Sequence, residues 1–146
     1  MSDIKLKFKI EDLSPQVLAS LDDAKRRALY AAGITFQKGA TDSISGLYTA
    51  ENKAVDTGRL RASISFITPE GASAPISAAP ENAQATDALK GVAPLDTMMF
   101  GSNVEYAAYV HEGTHGMEGR PFLREGVDMT KDDLKDTITR IFKGEL

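Results

Sequence analysis

Hydrophobic and polar positions alternate strictly near the start of the chain. In residues 4–10 an apolar residue stands at every second position, and Lys5, Lys7 and Lys9 separate these positions. A period of two matches the two faces of a β-strand, so the pattern predicts a half-buried strand. The three lysines allow two interpretations. They form a solvated face that discourages edge-to-edge pairing, or a basic stripe that contacts phosphate or an acidic partner.

A long helical pattern follows this strand. Ser14 is typical of a helix cap, and Pro15 suits the first helical position because it loses no useful donor there. Apolar residues then recur at steps of three and four from Val17 to Leu47, which predicts a long amphipathic helix with one stripe toward the core. Glycines interrupt the stripe at a cost of about 1 kcal/mol each relative to alanine. We therefore expect a kink or a break between residues 38 and 42.

Shorter elements are predicted for residues 54–68 and 97–114. Asp-Thr-Gly at 56–58 is typical of a turn or cap, and one helical turn and a strand from Ser63 to Thr68 follow it. Residues 97–102 predict another strand. The helical pattern after Val104 places two tyrosines and Val110 on one face and ends at a glycine. A final helix begins near residue 122, with a possible restart at Thr130.

Between these elements lies a long segment of different composition. Residues 69–97 contain four of the six prolines, eight alanines and no aromatic residue. Such a segment has little to bury, and structureless loops longer than about 12–15 residues are uncommon in compact domains unless they are functional or disordered. We expect a mobile insertion loop that contributes little to the core, has a helical turn near Asn82 to Leu89 and becomes ordered on a partner.

Composition narrows the class of protein. The chain has 146 residues, which fits a single domain. Its net charge of −4 disfavours general binding to nucleic acid, because that binding depends on neutralising phosphates. The absence of cysteine excludes disulfides, thiolate catalysis and thiolate metal sites. No apolar run is long enough to span a membrane or to form the core of a signal peptide, so we expect release into the cytoplasm where the chain is made.

One short motif points to metal chemistry. His111, Glu112 and His115 match H-E-x-x-H, in which two imidazoles one helical turn apart bind Zn²⁺ and the glutamate polarises the bound water. Gly113 and Thr114 are poor residues for the middle of a helix, so that geometry is doubtful. A third ligand would have to be a carboxylate, because the chain has two histidines. A zinc peptidase is the remote alternative, and we predict neither a catalytic nor a metal site.

Two arginines between the turn and the strand are ambiguous. Arg59 and Arg61 flank a capped turn. They pair with carboxylates inside the domain, or they contact a neighbouring subunit. The residue pattern leaves both alternatives open.

The order of these features resembles a known family. The blocks D-T-G-R-L-R-A-S-I at 56–64 and Y-A-A-Y-V-H-E-G-T at 106–114, followed by R-P-F-L at 120–123, are similar to the tail-completion (putative tail component) proteins of lambdoid-type long-tailed phages. The resemblance spans nearly the whole chain, although residues 69–97 form a longer segment than the family leads us to expect. The matched motif residues are Asp56, Thr57, Gly58, Tyr106, Tyr109, Gly113, Thr114, Pro121 and Phe122.

The resemblance implies a fold, a role and partners. It implies an α+β fold, in which long N-terminal and C-terminal helices pack on a small antiparallel sheet. It also implies a structural virion protein rather than an enzyme, assembled as a six-fold ring in the head–tail neck between a head-closing stopper protein and the tail terminator. DNA would pass through the ring without specific binding. No cofactor is implied. A tail terminator or a minor capsid protein is the alternative within the virion. The candidate contact residues are Lys5, Lys7, Lys9, Arg59, Arg61, Pro75, Pro80 and Leu89.

Overall fold

A computed structural model describes the backbone of residues 4–9, 15–54 and 58–145, and the side chains of residues 22–54 and 58–145. The fold is α+β, with long helices near both ends of the chain and a small antiparallel sheet, as expected. The elements in chain order are β1 (Ile4–Lys9), α1 (Pro15–Ile44), a 3₁₀ turn (Ala50–Asn52), α2 (Arg59–Ser63), β2 (Ser65–Thr68), β3 (Gly71–Ala72), β4 (Thr97–Ser102), α3 (Ala107–Glu112), β5 (Gly113–Thr114), β6 (Met117–Glu118) and α4 (Phe122–Phe142).

The main sheet is built around β4. Its strand order is β1-β4-β2-β3, and each neighbouring pair is antiparallel. Phe100 of β4 lies opposite Leu6 of β1 on one side and opposite Phe66 of β2 on the other. The strands predicted at residues 4–10, up to Thr68 and at residues 97–102 are confirmed as β1, β2 and β4. β2 begins at Ser65, two residues later than predicted, because α2 continues to Ser63.

The main core lies between the helices and one face of this sheet. The rings of Phe36 in α1 and Phe100 in β4 are in contact, with centroids 5.4 Å apart. Burying a large apolar side chain stabilises the fold by about 1.5–3 kcal/mol, so this cluster is the main stabilising unit. Its buried members are Leu29, Ala32, Phe36, Ala40, Ile44, Leu60, Ile64, Phe66, Met98, Phe100, Val104, Ala107, Phe122, Leu123 and Leu134.

The predicted break in the first helix is wrong, and the alternative of a kink between residues 38 and 42 stays a prediction. α1 is one continuous helix, and its glycine at position 39 lies where α4 crosses it. A Cβ on Gly39 would stand 2.6 Å from the carbonyl oxygen of Gly126, and a Cβ on Gly126 would stand 2.7 Å from the Cα of Ala40. The two glycines therefore allow the helix backbones to touch. Close packing offsets their low helix propensity.

The segment 69–97 begins with β3 at the edge of the sheet, and its later part lies on the second face of the sheet. Leu89 and Ala93 are 2% and 5% exposed, and they pack with Ile67 and Met99. Because side chains alternate along a strand, this small cluster lies on the face opposite the main core. The segment thus contributes more to the core than its composition predicts. Its mobility stays a prediction.

The helical turn expected near Asn82 to Leu89 is also wrong. Residues 81–82 and 85–86 form turns instead, with hydrogen bonds from the Ala83 amide to the Pro80 carbonyl and from the Asp87 amide to the Gln84 carbonyl.

The last helix continues through Thr130 without the predicted restart. Apolar residues of this helix face the core. Leu134 and Ile141 are buried, and Val127 and Ile138 pack partly buried against the main core. In the ranges that the structure describes, no helix combines the length and the apolar character that crossing a membrane requires.

Candidate functional site

Arg59 lies at the start of α2 with its guanidinium buried. The preceding Gly58 has φ +87°, a left-handed conformation that favours glycine, and the helix begins directly after it. The Arg59 side chain is 9% exposed. It donates from Nε and Nη2 to the two carboxylate oxygens of Asp87, at 2.9 and 2.8 Å. This paired geometry is the strong, planar form of an arginine–carboxylate contact.

Asp87 belongs to the segment 69–97 and is 5% exposed. Its Oδ2 also accepts the backbone N–H of Gln84 at 2.9 Å, and its own carbonyl accepts the N–H of Asn103, also at 2.9 Å. The Arg59 guanidinium holds the pKa of Asp87 below its ordinary value, and the Gln84 amide adds to this shift. Asp87 is thus an anionic anchor that attaches the segment to α2 and to the end of β4.

Glu105 and Tyr106 complete the surroundings of the guanidinium. Glu105 accepts from Nη1 and Nη2 of Arg59, both at 3.0 Å, although its side chain is 65% exposed. Arg59 also lowers the pKa of this carboxyl. The ring centroid of Tyr106 lies 5.7 Å from the guanidinium carbon, within the range of a cation–π contact. We call Arg59, Asp87, Glu105 and Tyr106 the Arg59 network.

The Arg59 network joins the two sequence blocks of the resemblance. Arg59 comes from the block at 56–64, and Tyr106 begins the block at 106–114. Of the two alternatives for Arg59, the structure takes the internal one, because its donors point to carboxylates of the same chain. Within the described residues, Arg59 donates four hydrogen bonds to the carboxylates of Asp87 and Glu105. The network is therefore suited to fixing three segments relative to one another.

A second buried ion pair holds the far end of the same segment. Nζ of Lys25 in α1 lies 2.6 Å from Oδ1 of Asp96, and the two side chains are 9% and 11% exposed. Asp96 has φ +58°, which aspartate tolerates better than most residues. We call residues 87–96 the strap, because each end is attached by a buried carboxylate.

The middle of the strap exposes large apolar side chains. Val92 and Leu95 are 64% and 80% exposed, although Leu89 and Ala93 beside them are buried. Gly91, with φ +86°, makes the bend before this tip. An apolar tip held at both ends loses little conformational entropy when it binds, which favours a contact surface.

An open groove lies elsewhere, between α1 and the β2–β3 hairpin. Its volume is about 730 Å³, and its apolar lining includes Tyr30, Ile34 and Phe66. An ion pair between Arg26 and Glu70, 3.2 Å apart, stands at its rim. None of the predicted site residues whose side chains the structure describes lines this groove. Tyr30 and Ile34 are 56% and 43% exposed. They are large apolar residues that lie off the apolar stripe of α1, and this feature of the sequence could have indicated the groove.

The other candidate contact residues are scattered. In β1, Lys5, Lys7 and Lys9 pair in register with Gly101, Met99 and Thr97, and their side chains lie outside the described part. Pro75 is exposed and Pro80 is partly exposed. Leu89 is buried, so in this conformation it cannot contact a partner.

Arg61 does not join the Arg59 network. It is partly exposed, and its Nη1 lies 3.4 Å from the Ser45 hydroxyl. Its Nε has no hydrogen-bond partner in the part of the chain that the structure describes. The alternatives for Arg61 therefore stay open.

The motif residues that the structure describes lie mainly at the ends of helices and in the β5–β6 hairpin. Asp56 and Thr57 lie outside the described residues. Tyr109 is 55% exposed, whereas Tyr106 and Val110, which were expected on the same helical face, are partly buried against the main core. Gly113 ends α3 with φ +87°, Thr114 lies in β5, and Pro121 directly precedes α4.

The histidine motif does not have zinc-peptidase geometry. His111 is 2% exposed at the end of α3, whereas His115 is exposed in the turn of the β5–β6 hairpin. The two imidazoles therefore do not lie one turn apart on a helix. Across the described ranges, no group of three or more histidine, aspartate and glutamate side chains is placed to hold a metal ion.

No protein-family model, curated protein or solved structure matches the chain.

Proposed function

We propose that this protein is a structural component of the head–tail neck of a long-tailed phage, a tail-completion protein that assembles as a ring around the DNA channel. The observation that carries the proposal is the pair of sequence blocks at 56–64 and 106–114. Their resemblance to tail-completion proteins is supported by two findings, the α+β fold and the direct contact of the blocks through Arg59 and Tyr106.

The proposed work is geometric. A closed ring needs head-to-tail contacts, in which one surface of a subunit meets a different surface of the next. A stable contact of this kind buries on the order of 800 Å² per partner. The strap tip is suited to one side of such a contact, since Val92 and Leu95 are exposed and the ends of the strap are fixed.

Charge suits a channel that DNA passes through. The chain has a net charge of −4, so the ring as a whole repels phosphate. In the neck, the proposed neighbours are the stopper protein on the head side and the tail terminator on the tail side. Assembly takes place in the host cytoplasm, and the finished ring belongs to the virion.

Reconstitution tests this function. Tails and DNA-filled heads are prepared separately from a phage that lacks the gene, the purified protein is added to one component and then to the other, and infectious particles are counted. We expect infectivity to rise when the protein is present before joining. No rise with either component would contradict a joining role.

A variant pair tests the contact surface in the same assay. We expect V92D/L95D to lose joining, because two charges would replace the apolar tip. L47D is the control, since Leu47 is also 70% exposed but lies outside the strap. Equal activity of both variants, with the wild-type circular dichroism spectrum retained, would exclude the tip as a contact while leaving the joining role intact.

A further inference from the structure

His111 connects the end of α3 to the start of α4. Its Nδ1 lies 2.7 Å from Oε1 of Glu112, and the backbone N–H of Arg124 points to its Nε2 at 3.3 Å. The imidazole is 2% exposed and contacts the ring of Phe122 edge to face, with centroids 5.3 Å apart. Both ring nitrogens are thus occupied.

This arrangement requires the neutral imidazole. Because Nε2 accepts a hydrogen bond, the single ring proton must be on Nδ1, from which it is donated to Glu112. The Arg124 amide belongs to the first turn of α4, where amides have no partner within the helix. Pro121, the residue that precedes the helix, provides no side-chain acceptor. His111 therefore supplies from α3 the acceptor that an N-cap side chain usually supplies.

Opposing charges surround the ring. Glu112 favours the imidazolium, whereas burial and the Arg124 guanidinium disfavour it. Glu112 is 57% exposed and shares its Oε1 with Nη2 of Arg124, 3.3 Å away. Burial has the largest effect, so the pKa of His111 lies below its ordinary value of 6.5.

The β5–β6 hairpin is attached to the end of α3, close to His111. The amide of Arg120 donates to the carbonyl of Val110 at 2.8 Å, which closes the hairpin back onto α3. A Cβ on Gly119 would stand 2.7 Å from the Glu112 carbonyl oxygen, so the backbones are tightly packed here. Loss of the His111 contact would loosen both the hairpin and the first turn of α4.

We propose that His111 is an acid-labile joint: the neutral ring caps α4, and a proton on Nε2 removes that cap and loosens the connection between α3, the hairpin and α4. Protonation would bring two N–H groups face to face, at Nε2 and at the Arg124 amide.

The sign of the pH effect follows from linkage. The unfolded chain binds a proton at His111 near pH 6.5, and the folded chain binds it only at lower pH. The stabilisation is therefore complete above about pH 6.5 and is lost as the pH falls toward the lower folded value. Within that window the unfolding equilibrium constant rises by up to about tenfold for each pH unit.

Urea unfolding of the full chain between pH 7.5 and 5.5 tests the joint. We expect wild type and H115Q to weaken together as the pH falls. H111Q should change much less, because its side chain can still accept the Arg124 amide but does not titrate. H115Q is the matched control, since His115 is exposed. The same pH slope in H111Q and H115Q would overturn the proposal.

NMR of H115Q provides a second measurement that does not depend on whether H111Q folds. In that variant His111 is the one remaining histidine. We expect its ring to titrate below pH 6.5 and the Arg124 amide to exchange faster once it is protonated. Titration at or above 6.5, or an Arg124 amide unaffected by protonation of the ring, would overturn the proposal.

Discussion

Replacement of Arg59 by methionine should destabilise the protein strongly. R59M keeps an unbranched apolar stem but removes the guanidinium, so the carboxylate of Asp87 stays buried at 5% exposure without its main partner. Removing one member of a buried ion pair costs about 3–5 kcal/mol of unfolding free energy. We expect about 3 kcal/mol, the lower end of that range, because the exposed Glu105 keeps one side of the network near water.

The partners of Arg59 should respond unequally. E105Q should cost far less than R59M, since Glu105 is 65% exposed and water can replace its contacts. D87N should cost less than R59M, because the neutral amide carries no unpaired buried charge. In R59M/D87N both charges are absent. We expect a coupling energy of about 1–3 kcal/mol between the two sites, which makes the double variant more stable than the sum of the single changes predicts.

Urea unfolding monitored by circular dichroism and tyrosine fluorescence measures these free energies. Limited proteolysis of the same variants reports on the strap, which should be cleaved near residues 87–96 in R59M before the helices are cut. A cost below 1 kcal/mol for R59M, or equal costs for R59M and E105Q, would refute the view that Arg59 and Asp87 form a buried anchor.

Three further predictions follow from the packing and the charges. G126A should lower the free energy of unfolding, measured in urea, by about 1–3 kcal/mol, because the new Cβ meets the backbone of α1. G116A is the control, since nothing lies within 4 Å of a Cβ at that position. Equal costs for the two variants would contradict the tight helix crossing. Because Arg59 lowers the pKa of Asp87, the contribution of Asp87 to stability should be complete above its ordinary pKa of 3.8 and lost as the pH falls below it. In an acid titration, D87N should therefore lose less stability than the wild type. Identical acid transitions in the two proteins would count against the Arg59–Asp87 pair. K25M should speed proteolysis near Asp96, because it leaves that buried carboxylate without its Lys25 partner. Unchanged cleavage would show that other contacts hold this end of the strap.

Local periodicity predicted the elements well. The alternation in residues 4–10 predicts β1, and the steps of three and four predict α1, because each pattern depends on close neighbours along the chain. The glycines of α1 were misread because their role depends on a distant helix. Helix propensity assigns a cost to Gly39, and only the contact with Gly126 explains why it is there.

The candidate site was less predictable. Arg59 stands out in the sequence, but its main partner, Asp87, is 28 residues away in a segment whose composition favours a loop. The composition of that segment gave no sign that two of its carboxylates, Asp87 and Asp96, are buried in ion pairs at the ends of the strap. The histidine motif was the opposite case. A familiar spacing indicated a metal, and the fold uses His111 to cap a helix.

The proposed role of this protein is to join a phage head to its tail through shape and packing. Cryo-electron microscopy of purified virions provides the decisive test, since the chain's fold can be identified in a well-resolved neck. We expect a closed ring of this α+β subunit around the DNA channel, between the head-closing protein and the tail terminator, with the strap tip in contact with a neighbour. Virions that lack the chain, or that carry it only in the capsid shell or at the distal end of the tail, would rule out the proposed role.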